Sequence, residues 1–186
     1  MRKDFSPNPW FYPLPVLIVG TYDEGGVPDA MNAAWGGLYD ADKVILCLSS
    51  GHKTTKNIKA KGAFTVAFAD AEHVVACDYV GVESGNKEPR KVEKAGFHVT
   101  RSQHVDAPIL DELPVAFECK LLEITDNGNI IGQIVNISVD ESVLTSDGRG
   151  VDAAKAGFIS FDPCANTYVK LGEVVGKAFS DGVQIQ

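Results

Sequence analysis

The sequence predicts a mainly β protein with short helices, whose strands form a closed or split antiparallel barrel. Many short runs of β-type residues lie at nearly even spacing along the chain, which is typical of β-sandwiches and barrels. The segments with helical character are few and short, and they do not alternate with the strands as in a β-α-β protein. Residues 127–128 read Asn-Gly, a dipeptide that strongly indicates a tight β-hairpin.

Runs rich in β-branched and aromatic residues predict the strands in chain order. Residues 16–19 form a continuous apolar run, the turn sequence Asp-Glu-Gly-Gly follows at 23–26, and residues 28–35 form the returning arm of a hairpin. Residues 64–68 alternate with the two-residue period of a strand. The remaining strands are predicted at residues 44–48, 115–124, 130–139, 157–161 and 168–171.

Short helices are predicted between the strands, at residues 54–61, 72–79, 91–94 and 152–156. The first starts at a threonine and stops at Gly62, because glycine readily ends a helix. The β-branched Val74 and Val75 are less favourable within the second. Since the chain has neither an internal repeat nor a linker, residues 1–186 are predicted to form a single domain.

The composition is that of a globular protein and argues against two classes of partner. The 186 residues are 45% hydrophobic and 23% charged, with a formal net charge of −8. Such an acidic surface repels nucleic acid and anionic membranes. No apolar run reaches the ~20 residues that a membrane-spanning helix needs. The N-terminal stretch lacks the apolar core of a signal peptide, so a cytoplasmic location is expected.

The cysteines stand at positions 47, 77, 119 and 164, and none forms a Cys-x-x-Cys pair. His73 and Cys77 are four residues apart, but no second pair completes a set of zinc ligands, so no metal site is predicted. The cysteines are expected to be free thiols, mostly buried as small apolar residues.

A basic run at residues 49–61 reverses the charge of this acidic chain. It contains four lysines and no acidic residue, and it lies where a predicted strand gives way to a predicted helix. A helix N-terminus offers free backbone N–H groups and the positive end of the helix dipole, so this junction is a candidate phosphate site. A structural alternative stays open, in which Lys59 and Lys61 complement the helix C-terminus and Thr54 is only an N-cap.

Several short motifs follow one another along the chain. They are Met-Asn-Ala-Ala-Trp at 31–35, Ser-Ser-Gly-His-Lys-Thr at 49–54, Ser-Gly-Asn-Lys at 84–87, Lys-Val-Glu-Lys-Ala-Gly-Phe at 91–97 and Tyr-x-x-Leu-Gly at 168–172. Each is weak alone, but in this order they resemble the flavin reductase-like family, especially its flavoredoxin branch, over about residues 14–182. The resemblance implies an FMN-binding split β-barrel that forms a homodimer.

The resemblance also implies which residues bind FMN, although it assigns no catalytic residue. The wall and edge beside the flavin ring would be formed by Asn32, Ala33, Ala34 and Trp35, and Cys47 would face the ring. The phosphate and ribityl chain would be held by Ser49, Ser50, His52, Lys53 and Thr54. From a neighbouring loop, Ser84 and Lys87 would reach the cofactor. Structural alternatives are a core aromatic for Trp35, a small core residue for Cys47, an exposed loop histidine for His52 and a solvated turn for residues 84–87.

The activity implied by the resemblance is an FMN-dependent oxidoreductase that takes electrons from NAD(P)H or from a partner redox protein. Some family members carry a histidine just before the strand at 130–139, where this chain has Asn129. Asparagine can hydrogen-bond a carboxamide but cannot titrate, which weakens the case for direct NAD(P)H oxidation. The alternatives are a flavin-storage module without turnover and a barrel that binds another ligand, such as haem.

The N-terminal arm, residues 1–13, contains three adjacent aromatic residues flanked by prolines. Proline favours an extended chain and removes backbone donors. The arm is expected to pack on the flavin edge or on the dimer partner, the alternative being a frayed terminus.

Overall fold

A computed structural model describes residues 1–185 and is mainly β with short helices, as predicted. The strands are β1 (Leu14–Pro15), β2 (Leu17–Tyr22), β3 (Pro28–Ala33), β4 (Gly36–Asp40), β5 (Lys43–Leu46), β6 (Ala63–Phe68), β7 (Val99–Arg101), β8 (Pro108–Leu110), β9 (Val115–Ile124), β10 (Ile130–Val139), β11 (Ile159–Asp162) and β12 (Thr167–Lys170). The α-helices are α1 (Lys53–Lys61), α2 (Val74–Val82), α3 (Lys91–Lys94) and α4 (Ala153–Ala156), and short 3₁₀ helices lie at Glu141–Val143 and Asp181–Ile185.

The main sheet contains seven strands of the described chain, in the order β3-β2-β6-β9-β10-β5-β4. Every pairing in it is antiparallel, and the sheet curls into a half-barrel, so the fold is a split β-barrel. A smaller sheet with the order β1-β11-β12 and a short β7–β8 ladder complete the pairings. The β9–β10 hairpin turns at the predicted Asn127–Gly128 pair, where Gly128 has a positive φ of 83°.

Alternate residues of β2 pack into two buried apolar clusters, one on each face of the sheet. On one face, Val19 packs with Phe64 of β6 and with Ile58 of α1. On the other face, Ile18 packs with Val80 of α2. These side chains are almost completely inaccessible to solvent, and burying each one stabilises the fold by about 1.5–3 kcal/mol. Both α1 and α2 are therefore anchored on a rigid sheet.

Two predictions about local structure were wrong. The strand predicted at 28–35 ends two residues early, because β3 stops at Ala33 and the chain crosses to β4, which starts at Gly36 on the far edge of the sheet. Thr54 does not cap α1, since the helix starts one residue earlier and His52 occupies the cap position without a side-chain cap bond. The predicted end of α1 at Gly62 is confirmed.

The N-terminal arm, residues 1–13, forms neither helix nor strand and is exposed along its length. Inside the arm, the rings of Phe5 and Trp10 meet edge to face at 5.1 Å, and the Tyr12 hydroxyl donates a hydrogen bond to Asp162. Residues 171–185 after β12 are likewise exposed. Across the described residues, no helix combines the length and the apolar character needed to cross a bilayer.

Candidate functional site

The basic junction between β5 and α1 presents free backbone donors at the start of a nine-residue helix. The loop is held by hydrogen bonds from the His52 N–H to the Ser49 carbonyl (3.2 Å) and from the Thr55 hydroxyl to the same carbonyl (2.9 Å). Within residues 1–185, the backbone N–H groups of Lys53, Thr54 and Thr55 have no hydrogen-bond acceptor. Because these donors point out of the positive end of the helix dipole, the junction can bind an anion.

The C-terminal end of α2 and the loop that follows it, residues 83–86, face this junction across a cavity of about 140 Å³. Asn86 joins the two loops, because its Nδ2 donates to the Gly51 carbonyl (3.1 Å) while its Oδ1 accepts from Lys56 Nζ (3.0 Å). The backbone of Gly85 lies so close to β3 that an added Cβ would stand 2.3 Å from Asp29 Oδ1. Only glycine fits there, so the approach of this loop depends on that residue.

A buried ion pair lies beneath both loops. Asp29 of β3 accepts a hydrogen bond from the Thr54 hydroxyl (2.6 Å) through Oδ2. Its other oxygen, Oδ1, lies 3.4 Å from Lys91 Nζ of α3 and is the buried side-chain oxygen that lacks a hydrogen-bond donor among the described residues. Lys91 Nζ also donates to the carbonyls of Val80 (2.9 Å) and Glu83 (3.0 Å). This arrangement, the Asp29–Lys91 pair, connects β3, α1, α2 and α3 at the floor of the cavity.

The predicted phosphate residues lie at this junction, but their side chains are used differently. Ser49 and Ser50 are exposed, and His52 Nδ1 lies 3.5 Å from Met31 Sδ on β3. Thr54 is buried with its hydroxyl bound to Asp29, so the group it can offer a ligand is its backbone N–H.

Lys53 lines the cavity and also contacts the preceding β-hairpin. Its Nζ lies 3.2 Å from Asp23 Oδ2. Hydrogen bonds from the Val27 N–H and from Lys53 lower the pKa of the Asp23 carboxyl, which keeps that carboxyl charged at neutral pH. The partly exposed ion pair with Asp23 thus holds the Lys53 cation at the cavity.

Of the two residues predicted on the neighbouring loop, the structure brings one to the cavity. Ser84 lines it, and its Oγ accepts a hydrogen bond from the Asn86 N–H (3.3 Å). Lys87 is exposed and does not line the cavity. Asn86, which sequence reasoning noticed only as part of a motif, makes the contacts that join the loops.

The predicted wall, Asn32 to Trp35, lies at the end of β3 next to the cavity-lining Met31. Ala33 is buried and Ala34 half-buried, whereas the Trp35 side chain is 59% exposed. The alternative that Trp35 is a core aromatic is therefore wrong. A large exposed indole beside two alanines forms an open wall that a flat ring can cover.

Cys47 lies next to this wall, since its N–H donates to the Trp35 carbonyl (2.8 Å). Cys47 is exposed because it follows β5, at the point where the chain leaves the sheet. The alternative that Cys47 is a small core residue is therefore wrong. Cys164 is also exposed, in the β11–β12 turn. Cys77 and Cys119 are buried as expected, and burial raises the pKa of both thiols to about 12. Within residues 1–185, no group of His, Cys, Asp or Glu side chains is arranged to hold a metal ion.

Sequence reasoning missed Asp29, Lys91 and Thr55 as parts of the site. Lys91 belongs to one of the recognised motifs, but nothing in that motif shows that its side chain is buried against β3. Asp29 had no signal, because an acidic residue within a predicted strand normally faces solvent.

Comparison with known proteins identifies relatives over most of the chain. The family model described as "Flavin reductase like domain" matches residues 11–154. Flavoredoxin of Desulfovibrio vulgaris (Miyazaki F) is similar in structure with a TM-score of 0.94 and 35% identity, covering 98% of this chain and 100% of that one. Flavoredoxin from Methanosarcina acetivorans gives a TM-score of 0.91 at 24% identity and full coverage of both chains. At this identity the likeness is one of fold. The uncharacterized protein YwrF of Bacillus subtilis is 27% identical over 87% of this chain and 85% of its own length.

Proposed function

This chain belongs to the flavin reductase-like family, and on that premise we propose that it binds FMN and passes electrons through it between a donor and an acceptor. The family and the flavoredoxin likeness support a flavin-related oxidoreductase. The observation that carries FMN as the cofactor is the cavity between the two loops, which is lined by free N–H groups, by Lys53 and by Met31 of the strand that leads to the exposed Trp35.

The residues present fit the chemistry of FMN. A phosphate monoester needs an anion cradle, and the N-terminus of α1 offers three free N–H groups together with Lys53. A small cavity of about 140 Å³ suits a phosphate tail rather than a whole nucleotide. The flat ring needs an apolar wall, and Trp35 is exposed beside small alanines that leave room for it.

When bound, FMN supplies a ring that accepts and returns electrons, and the protein binds, orients and shields it. The α1 junction would fix the anionic tail, and the segment from Asn32 to Trp35 would fix the plane of the ring. The exposed Cys47 lies beside that segment, within reach of a ring that covers Trp35. The wall residues Asn32 to Trp35 carry no ionisable side chain, so the role proposed for them is positioning.

The electron donor is proposed to be a partner redox protein rather than NAD(P)H. Asn129 stands at the turn into β10, where some relatives carry histidine, and its N–H is bound to Thr125 Oγ1 (3.0 Å). An anaerobic titration of the flavin-loaded protein separates the two donors. Bleaching of the flavin by reduced ferredoxin but not by NADH or NADPH supports this proposal, and fast bleaching by either nucleotide contradicts it. A flavin that no donor reduces would point instead to a storage module.

The phosphate cradle predicts that FMN binds more tightly than riboflavin. Each charge-assisted hydrogen bond to the phosphate contributes about 1.5–3 kcal/mol, so we expect at least about a tenfold lower Kd for FMN. Replacing Lys53 by Met is expected to weaken FMN binding about tenfold and to leave riboflavin binding nearly unchanged. Quenching of flavin fluorescence on titration with protein measures all of these affinities.

The matched control is Lys59→Met, which removes a lysine from the exposed C-terminal part of the same helix. This variant should bind FMN as the wild type does. Equal affinities of the wild type for FMN and riboflavin would show that the α1 junction does not hold the phosphate.

We further propose that the chain is a homodimer in which the N-terminal arm covers a neighbouring surface. The arm exposes Trp10, Phe11 and Tyr12, and contiguous exposed apolar side chains commonly mark an interaction surface. Deleting residues 1–13 is expected to lower either the FMN affinity or the dimer mass in light scattering. A truncated chain with unchanged FMN affinity and unchanged mass would contradict this role of the arm.

A further inference from the structure

Asn32 lies where β3 meets α2, and its side-chain amide is held by two different elements. Its Nδ2 donates hydrogen bonds to the Cys77 carbonyl of α2 (3.1 Å) and to the Tyr168 hydroxyl of β12 (3.3 Å). A backbone carbonyl can only accept, so the NH₂ group of the amide must face α2. The carbonyl oxygen Oδ1 accepts no hydrogen bond from residues 1–185 and is the polar atom left for a ligand.

The direction of the Tyr168 hydrogen bond is fixed by a carboxylate. The hydroxyl donates its proton to Asp78 Oδ1 (2.7 Å), so the lone pairs of its oxygen are left for Asn32. Burial and the bond to Asp78 raise the pKa of Tyr168 to about 12, and the hydroxyl therefore keeps its proton throughout the neutral range. The ring is held against Phe161, with centroids 6.0 Å apart.

Close packing limits the other positions that Asn32 can adopt. A Cβ added to Gly81 of α2 would stand 2.7 Å from the Asn32 Cβ, so the helix backbone presses directly on this residue. The amide is therefore confined between α2 and β12, with its orientation set by the Cys77 carbonyl together with the chain Asp78–Tyr168–Asn32.

We propose that Tyr168 and Asp78 are positioning residues that hold Asn32 Oδ1 outward as the acceptor for a ring N–H of the bound flavin. This inference rests on the proposed function and specifies one contact of that site. The oxidised flavin ring carries a single N–H, at N3, so an acceptor held in one direction recognises that atom. A rotating amide would present its NH₂ group part of the time and would lose this preference.

The test compares FMN with 3-methyl-FMN, in which a methyl group replaces the N3 proton. The measured quantity is the ratio of the two Kd values from fluorescence titrations. Wild type is expected to bind FMN about tenfold more tightly than the methylated flavin. In Tyr168→Phe, which keeps the ring but loses the hydroxyl, FMN binding is expected to weaken about fivefold while 3-methyl-FMN binding stays nearly constant.

Asp78→Ala provides a second variant at an exposed position, so it does not threaten the fold. It frees the tyrosine proton to turn toward Asn32, and it should lower the Kd ratio in the same sense. Tyr22→Phe is the matched control, because it removes a buried tyrosine hydroxyl on β2, away from Asn32, and should leave the ratio unchanged.

The outcomes separate orientation from mere structural support. If Tyr168→Phe weakens both flavins equally, or if both variants keep the wild-type ratio, Tyr168 does not orient Asn32 toward a ring N–H and the inference is overturned, while the proposed FMN site stands. Wild-type protein that binds neither flavin overturns the proposed function and this inference together.

Discussion

Replacing Lys91 by Met is expected to lower the free energy of unfolding by about 3–5 kcal/mol, which is a large part of the stability of a domain of this size. The substitution leaves the buried Asp29 carboxylate without its cation and leaves the Val80 and Glu83 carbonyls without a donor. Methionine matches the lysine stem closely in volume, so the loss comes from the unpaired charge rather than from a cavity. Urea unfolding followed by circular dichroism measures the effect.

Two further variants identify the cause. Lys94→Met, on the same short helix, breaks a solvent-screened pair with Glu88 and should lower the free energy of unfolding far less than Lys91→Met does. The double variant Asp29→Asn with Lys91→Met removes both charges, and it should be more stable than the sum of the single effects implies. Additive losses would show that the two groups do not interact.

The Lys91→Met substitution should also weaken FMN binding to the fraction of the protein that remains folded. Asp29 holds the Thr54 hydroxyl at the start of α1, and Gly85 packs on its Oδ1. Both cavity loops therefore depend on the position of a single carboxylate. The stability and the geometry of the candidate site are linked through this pair.

Local signals predicted the strands that form the frame of the fold. β9 and β10 have the predicted bounds, since an Asn-Gly turn between two long runs determines both the hairpin and its register. β4 was missed because Gly36 to Asp40 has no strand-like composition and becomes a strand only by pairing with β5. β7 and β8 are three residues each and depend on each other in the same way.

The candidate site shows the same division between local and long-range information. The α1 junction was predictable, because its charge and its strand-to-helix position are contiguous in sequence. The Asp29–Lys91 pair joins residues 62 positions apart, and Asn32 meets Tyr168 from the opposite end of the chain. Such contacts follow from sheet topology, which one sequence does not reveal.

The exposure of Trp35 predicts a second large effect, on binding rather than on folding. Trp35→Ala removes a side chain that is 59% exposed, so the free energy of unfolding of the flavin-free protein should change by less than about 0.5 kcal/mol. If the flavin ring covers the indole, its loss should raise the Kd for FMN by about 30-fold, or about 2 kcal/mol. Trp35→Phe should recover part of this affinity, because a smaller aromatic face remains.

Tyr39→Ala is the control for Trp35→Ala, since it removes an equally exposed aromatic residue of β4 outside the proposed wall. A partner copy rather than the flavin could also cover Trp35, and the two cases give different measurements. If the flavin ring covers Trp35, the alanine variant has a higher Kd for FMN at a constant dimer mass, because only ligand contacts are lost. If a second chain covers Trp35, the mass of the alanine variant falls toward that of the monomer in the absence of flavin. An alanine variant with wild-type Kd and wild-type mass would mean that neither covers Trp35, and the wall of the flavin site would then have to lie elsewhere.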